Sequence, residues 1–197
     1  MEMQGNRQLA VNQQQAWDAL NDPEVLKVCI PGCDKIEASG ENQYSMGVSL
    51  KIGPLAAKFS GKIALSDIQA PNSYTIGFEG QGGPAGFGKG QAKVQLQPNA
   101  AGVELVYSVH ASVGGKIAQV GQRLIDGVAK SMAEDFFKRF DGEMQRQHPE
   151  AYAAKAEAAA ASGAAPAAAE AGASGGIPGW VWMAGAAVLV VAFLVLR

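Results

Sequence analysis

Residues 114–140 read GGKIAQVGQRLIDGVAKSMAEDFFKRF. Ile117, Gly121, Leu124, Ile125, Val128, Met132 and Phe136 recur with a period of 3.6 and share one stripe, while Arg123, Asp126, Lys130, Glu134 and Lys138 share the opposite one. The pattern predicts a single amphipathic helix of about 30 residues from Lys116, its apolar stripe laid on a sheet. The alternating charges of Asp126, Lys130, Glu134 and Lys138 are the ladder expected of a solvated helix face. Gly121 and Gly127 each cost roughly 1 kcal/mol relative to Ala in a helix interior. Close backbone packing or space kept for a ligand is expected to offset them.

Upstream, the period is two. Tyr44, Met46, Val48, Leu50 and Ile52 share one parity, followed by Phe59, Ile63 and Leu65, by Tyr74, Ile76 and Phe78, by Val94 and Leu96, and by Val103, Leu105, Tyr107, Val109 and Val113. Gly53-Pro54, Pro71-Asn72, Pro84 and Pro98-Asn99 punctuate these runs. With an opening strand over residues 2–9, six antiparallel strands are predicted. Two short helices precede the meander. Asn12 is the N-cap of the first, Gln15 reaches back from N3 and Val11 packs on Ala16. Asp22 caps the second, Pro23 occupies its first turn, and Pro31-Gly32 ends it.

Composition narrows the function. The chain has 197 residues, 48% apolar and 17% charged, with a net charge of −2, enough for one domain with a core plus a tail. Sixteen Lys and Arg against 18 Asp and Glu leave no cationic excess for nucleic-acid phosphates, so no nucleic-acid partner is expected. The two Cys and two His, at 29, 33, 110 and 148, are too scattered for the ligand spacing of a four-ligand zinc site, and no metal site is expected. Cys29 and Cys33, four apart across Pro31-Gly32, read as small buried packing residues at the end of a short helix rather than a redox pair. The glycines from Gly80 to Gly90 lead into an alternating strand rather than a helix, so they read as a flexible hairpin rather than a phosphate loop. His110 has outward strand parity and His148 lies beyond the helix, so no Ser-His-Asp or Cys-His device has a visible base.

Residues 148–176 are mostly Ala with Gly, Ser and Pro, a flexible linker whose first half is expected to be partly helical. Residues 177–196 form an uncharged apolar stretch, IPGWVWMAGAAVLVVAFLVL, which at roughly 1.5 Å per residue matches the roughly 30 Å of a bilayer core. A transmembrane tail over residues 177–197 is predicted, with Trp180 and Trp182 in the aromatic belt and Leu189, Phe193 and Leu196 facing lipid. The opening residues MEMQGNRQLAV lack the basic and apolar regions of a signal peptide. The expected placement is therefore a C-tail anchor in the cytoplasmic (inner) membrane, the body facing the cytoplasm.

Three passages carry a family resemblance: Cys29-Ile30-Pro31-Gly32-Cys33, the glycine-rich run from Gly80 through Phe87 to Gly90, and the helix of residues 114–140. Together with the element order, they resemble the carbon monoxide dehydrogenase G-subunit family over about residues 1–147. The resemblance implies an α+β, START-like helix-grip fold, with an antiparallel sheet curled around a long C-terminal helix and a cavity between them. It further implies an accessory protein that places a carbon monoxide dehydrogenase-type molybdenum hydroxylase at the membrane, with no catalytic residues and no covalent cofactor of its own. The cavity residues expected on this fold are Phe59, Ile63, Ile76, Phe78, Phe87, Leu105, Tyr107, Gly121, Leu124, Ile125, Val128, Ala129, Met132 and Phe136. Their expected ligand is lipophilic, a respiratory quinone or another membrane lipid. A hydrocarbon tail gains roughly 0.8 kcal/mol per buried CH2, so a quinone leaves the bilayer only for an equally apolar site. An adaptor with a filled core, or a START-like hydrolase or cyclase, are the competing expectations.

Overall fold

The computed structural model describes residues 1–163. Strand β1 (Glu2–Leu9) leads into helices α1 (Gln13–Leu20) and α2 (Pro23–Cys29). A meander follows: β2 (Cys33–Gly40), β3 (Gln43–Ile52), β4 (Leu55–Gln69), β5 (Ser73–Gln81), β6 (Phe87–Asn99) and β7 (Gly102–Gly114). Helices α3 (Lys116–Gln119), α4 (Gln122–Gln147) and α5 (Pro149–Gly163) complete the described chain. The strands form one antiparallel sheet in the order β1-β7-β6-β5-β4-β3-β2, an α+β helix-grip arrangement.

The local signals for α1 and α2 act as the sequence predicts. Asn12 Oδ1 accepts from the Gln15 amide at 2.9 Å, and Gln15 Oε1 accepts from the Asn12 amide at 3.0 Å, a reciprocal cap. Val11 and Ala16 are both fully buried beneath it. Asp22 accepts from the Glu24 amide at 2.9 Å, with Pro23 in the first turn of α2.

Two expectations are corrected. The sheet has seven strands, not six, because residues 33–40 pair with β3 at the sheet edge. Ile36 is the only buried residue of β2, and an edge strand with one inward apolar side chain leaves no alternation to read. The single helix from Lys116 is in fact two, broken at Gly121, whose φ of +94° belongs to the left-handed region. Gly121 therefore escapes the helix-interior cost, and its site faces open space, with nothing within 4 Å of the position a Cβ would take. The same break leaves Leu124 40% exposed, away from the inner face.

The interior divides along α4. At the end bounded by the β6–β7 and β4–β5 turns, Leu9, Val103, Leu105, Phe140, Met144 and Cys29 are essentially inaccessible and belong to one packed cluster. Trp17 meets Tyr74 edge-on with centroids 5.2 Å apart, and Phe137 stacks on Tyr107 at 5.2 Å. Helix α5 joins this end: Ala151 and Tyr152 pack against the cluster, and Tyr152 Oη donates to Asp141 Oδ1 at 2.6 Å. Burial, and then that carboxylate, keep the Tyr152 phenol protonated far above its usual range. The first part of the expected linker is thus helix and contributes to the core.

Among the described residues no helix is long and apolar enough to cross a membrane. The predicted tail over residues 177–197, with Trp180, Trp182, Leu189, Phe193 and Leu196, lies outside them.

Candidate functional site

At the other end of the sheet, bounded by the β3–β4 turn, the β5–β6 connection and the β7–α3 link, the interior is hollow. A cavity of about 380 Å³ separates the sheet from the N-terminal half of α4. Its cause is legible in the strand register. Met46, Gly61, Gly80, Gly88 and Val113 are successive cross-strand partners on β3 to β7, so three adjacent positions of one inward-facing row have no side chain. The nearest atom to a Cβ built on Gly80 is Ser60 O at 4.0 Å, and on Gly88 it is Val113 Cγ1 at 3.7 Å. Ala129 on α4 faces the same space with one methyl group.

Eight of the residues expected to bind a ligand line this cavity together: Phe59, Ile63, Ile76, Phe78, Ile125, Val128, Ala129 and Met132. Six do not. Leu105 is buried in the packed cluster, with Tyr107 and Phe136 against it. Phe87 is 47% exposed, because the parity of β6 turns Gly88 rather than Phe87 inward, and the Phe87 ring lies over Gly114 instead. Gly121 and Leu124 are displaced by the helix break. The sequence reading missed Ile30, Met46, Val48, Leu50, Ile52, Val113 and Ile117, which complete the wall. The shared parity of Met46 to Ile52 was a signal for that strand, but it does not distinguish a cavity wall from a packed core.

The walls are almost wholly aliphatic and aromatic. Lys62, Glu79 and Lys89 border the cavity through their strand positions, yet each is exposed and alternates to the outer face, where Glu79 stands opposite both lysines. Such a space favours an apolar ligand and offers it no charged partner. A larger depression of about 830 Å³ spreads over the outer face of the sheet among Lys62, Glu79, Lys89 and His110. Its lining mixes polar and charged groups with apolar surface, so an apolar molecule gains less there than in the almost wholly apolar cavity beneath α4.

The two cysteines differ. Cys29 is inaccessible, and burial, with Glu143 adding to it, pushes its thiol up to about 11. Cys33 departs from the expected burial: it is half-exposed at the start of β2, its Sγ donating to Lys35 O at 3.4 Å. A thiol whose folded pKa is raised contributes stability below the unfolded value, and that contribution is lost as pH rises from about 9 to about 11. Alkylation of the native protein at mildly basic pH is expected to modify Cys33 and spare Cys29. Cys29→Ala is expected to flatten the fall in unfolding midpoint over that range. Equal labelling of both thiols would contradict the burial of Cys29.

A family profile described as the G subunit of carbon monoxide dehydrogenase (CoxG) matches residues 5–144. Among solved structures, a conserved protein from Geobacillus kaustophilus is 35% identical, with a TM-score of 0.70, over 74% of this chain and 96% of that one. A Thermus thermophilus protein is 13% identical with a TM-score of 0.58, covering 75% of this chain and 99% of its own. The Zhui aromatase/cyclase from a Streptomyces species is also 13% identical, with a TM-score of 0.56, over 75% and 94% of the respective chains. At that identity the last two share the START-like fold alone. No curated protein matches.

Proposed function

The chain belongs to the carbon monoxide dehydrogenase G-subunit family, and from that premise we propose that it is a membrane-anchored carrier serving a carbon monoxide dehydrogenase-type molybdenum hydroxylase. In this reading the tail of residues 177–197 holds the protein at the cytoplasmic membrane. The body accepts a lipophilic ligand, a respiratory quinone, in the apolar cavity and presents it to the dehydrogenase. The observation that carries the proposal is the hollow half of the interior: the row Gly61, Gly80 and Gly88 leaves about 380 Å³ beneath α4 where a packed adaptor would place side chains.

The volume lies at the small end of ligand cavities, which run from about 300 to 1,000 Å³. It accommodates a ring-sized group and a short stretch of chain, not a whole polyprenyl tail. Tethering raises the effective concentration of the loaded body near both bilayer and enzyme. The carrier performs no chemistry in this reading; the dehydrogenase supplies the electrons and the cavity supplies a dry site for the molecule that takes them.

Solvent extraction of the full-length protein purified from its membrane, followed by mass spectrometry, tests the reading. Near-stoichiometric quinone is expected. A folded protein that carries no lipid would leave the adaptor reading in its place. The anchor is tested separately by ending the chain after Gly163, which retains α5 and Tyr152. That truncation is expected to stay folded and leave the membrane fraction; pelleting with membranes at high salt would place attachment in the body.

A further inference from the structure

We propose that the cavity-bearing end of the sheet is a docking surface for the anionic face of a lipid bilayer, presented by Lys51, Lys116 and Arg123 around the apolar side chain of Leu124. The purpose of such docking rests on the carrier reading above; its chemistry rests on the distribution of charge. Residues 42–66, 80–103 and 105–125, which supply most of the cavity wall, contain seven Lys and Arg and no Asp or Glu, in a chain of net charge −2. Two acids adjoin these stretches, Glu79 opposite Lys62 and Lys89 and Asp126 one turn beyond Arg123, where it accepts from Gln122; Asp18, Asp22 and Glu24 lie away on α1 and α2, and Asp135, Asp141 and Glu143 on the C-terminal half of α4. Cations outnumber acids at the hollow end of the body.

Not all seven cations are available. Lys58 is paired with Asp34, Lys62 and Lys89 stand opposite Glu79 on the outer face, and Lys93 lies farther along β6 between Thr75 and Ser108, away from this end. Lys51, Lys116 and Arg123 are exposed, and none is in an ion pair among the described residues. The fold gathers them at one end. Lys51 precedes the turn at Gly53, and Leu124 rests on that turn, its Cδ2 lying 2.9 Å from the Cβ position of Gly53, which brings the first turn of α4 and Arg123 beside it. Gly86 and Gly115 abut backbone to backbone, which sets the start of α3 and Lys116 against the β5–β6 connection.

The combination favours a bilayer over an acidic protein. A Lys or Arg close to an anionic membrane surface contributes about fivefold in partition, a gain that needs no shaped partner. Leu124, 40% exposed among these cations, is suited to the boundary between headgroups and acyl chains. Docking by this end sets the cavity against the source of a ligand that cannot cross water.

The test uses the full chain, with Cys33→Ser and Ala118→Cys, labelled at residue 118 on the exposed side of α3 with an environment-sensitive dye. Vesicles of phosphatidylcholine alone are compared with equimolar phosphatidylcholine and phosphatidylglycerol, after co-flotation has measured attachment. A blue shift is expected on the anionic vesicles only, reversed by added salt. Lys51→Gln, Lys116→Gln and Arg123→Gln together are expected to lower the docked-to-free ratio about a hundredfold with co-flotation unchanged. An equal shift on neutral vesicles, no shift on either, or indifference to the triple substitution would overturn the proposal, the second result pointing to an acidic protein partner. Failure to float with neutral vesicles would instead refute the tail anchor, and the dye on anionic vesicles still decides the docking. Quinone carriage is decided independently by the extraction experiment.

Discussion

A protein carrying Gly80→Val and Gly88→Val is expected to fold as the parent does, to melt no lower, and to lose at least about tenfold in lipid occupancy. The two sites are chosen by geometry. Among the glycines of the inner row, Gly61 has Met46 Cγ 3.0 Å from the position a Cβ would take and would crowd it, whereas Gly80 and Gly88 meet nothing closer than 4.0 and 3.7 Å. Neither has a left-handed φ, so a branched side chain adopts the strand conformation without strain. Replacing strand glycine with a β-branched residue gains up to about 1 kcal/mol per site from backbone entropy and strand preference. That gain offsets the overpacking cost of roughly 1 to 3 kcal/mol seen when a filled core is enlarged, because here the core is not filled. The new side chains would be cross-strand neighbours in the middle of the cavity floor. Lipid copurified per mole of protein, measured beside the thermal midpoint, gives the answer. Full occupancy in a stable double variant would move the ligand elsewhere.

The second large effect is on stability. Phe140 is inaccessible and stacks on Phe136 with centroids 5.7 Å apart, in the half of the interior that is solid. Phe140→Ala is expected to cost about 3 to 5 kcal/mol, the range for emptying a fully packed aromatic site. Met132→Ala, two turns away on the same helix but facing the cavity, is expected to cost under about 2 kcal/mol, since its side chain already lacks neighbours on one side. Thermal unfolding followed by circular dichroism would compare them. Equal costs would mean that the interior is uniformly packed.

Periodicity sufficed wherever one face of an element is buried along its whole length. The alternation from Tyr44 to Ile52, the caps at Asn12 and Asp22, and the stripe from Ile125 to Phe136 all correspond to real elements. It failed where the tertiary setting removes the pattern. Strand β2 buries only Ile36, so nothing in CDKIEASG alternates. Gly121 kept the helical spacing while occupying a backbone conformation that ends a helix. The cavity was only half legible for a related reason. Apolar residues announce an interior, but whether that interior is full depends on which residues stand opposite one another. Gly61, Gly80 and Gly88 are 19 and 8 residues apart in the chain and become neighbours only through hairpin register. Phe87 has the parity opposite to Val94 and Leu96 and so turns outward, while Leu105 faces inward at the packed end, a position along the sheet that alternation does not report.

Helix α4 runs through both halves of the interior as one rigid rod, clamped at its C-terminal end by Phe140 and Met144 and spanning a void at its N-terminal end. Foundations and tenancy are thereby separated. Substitutions in the row beneath Ala129 remodel the room without disturbing the clamp, so a lineage can alter the size and shape of what it admits while its folding free energy stays nearly constant. The reverse also holds: erosion of the clamp tilts the rod and degrades every ligand alike. Divergence of specificity should accordingly accumulate at one end of this helix and intolerance of change at the other.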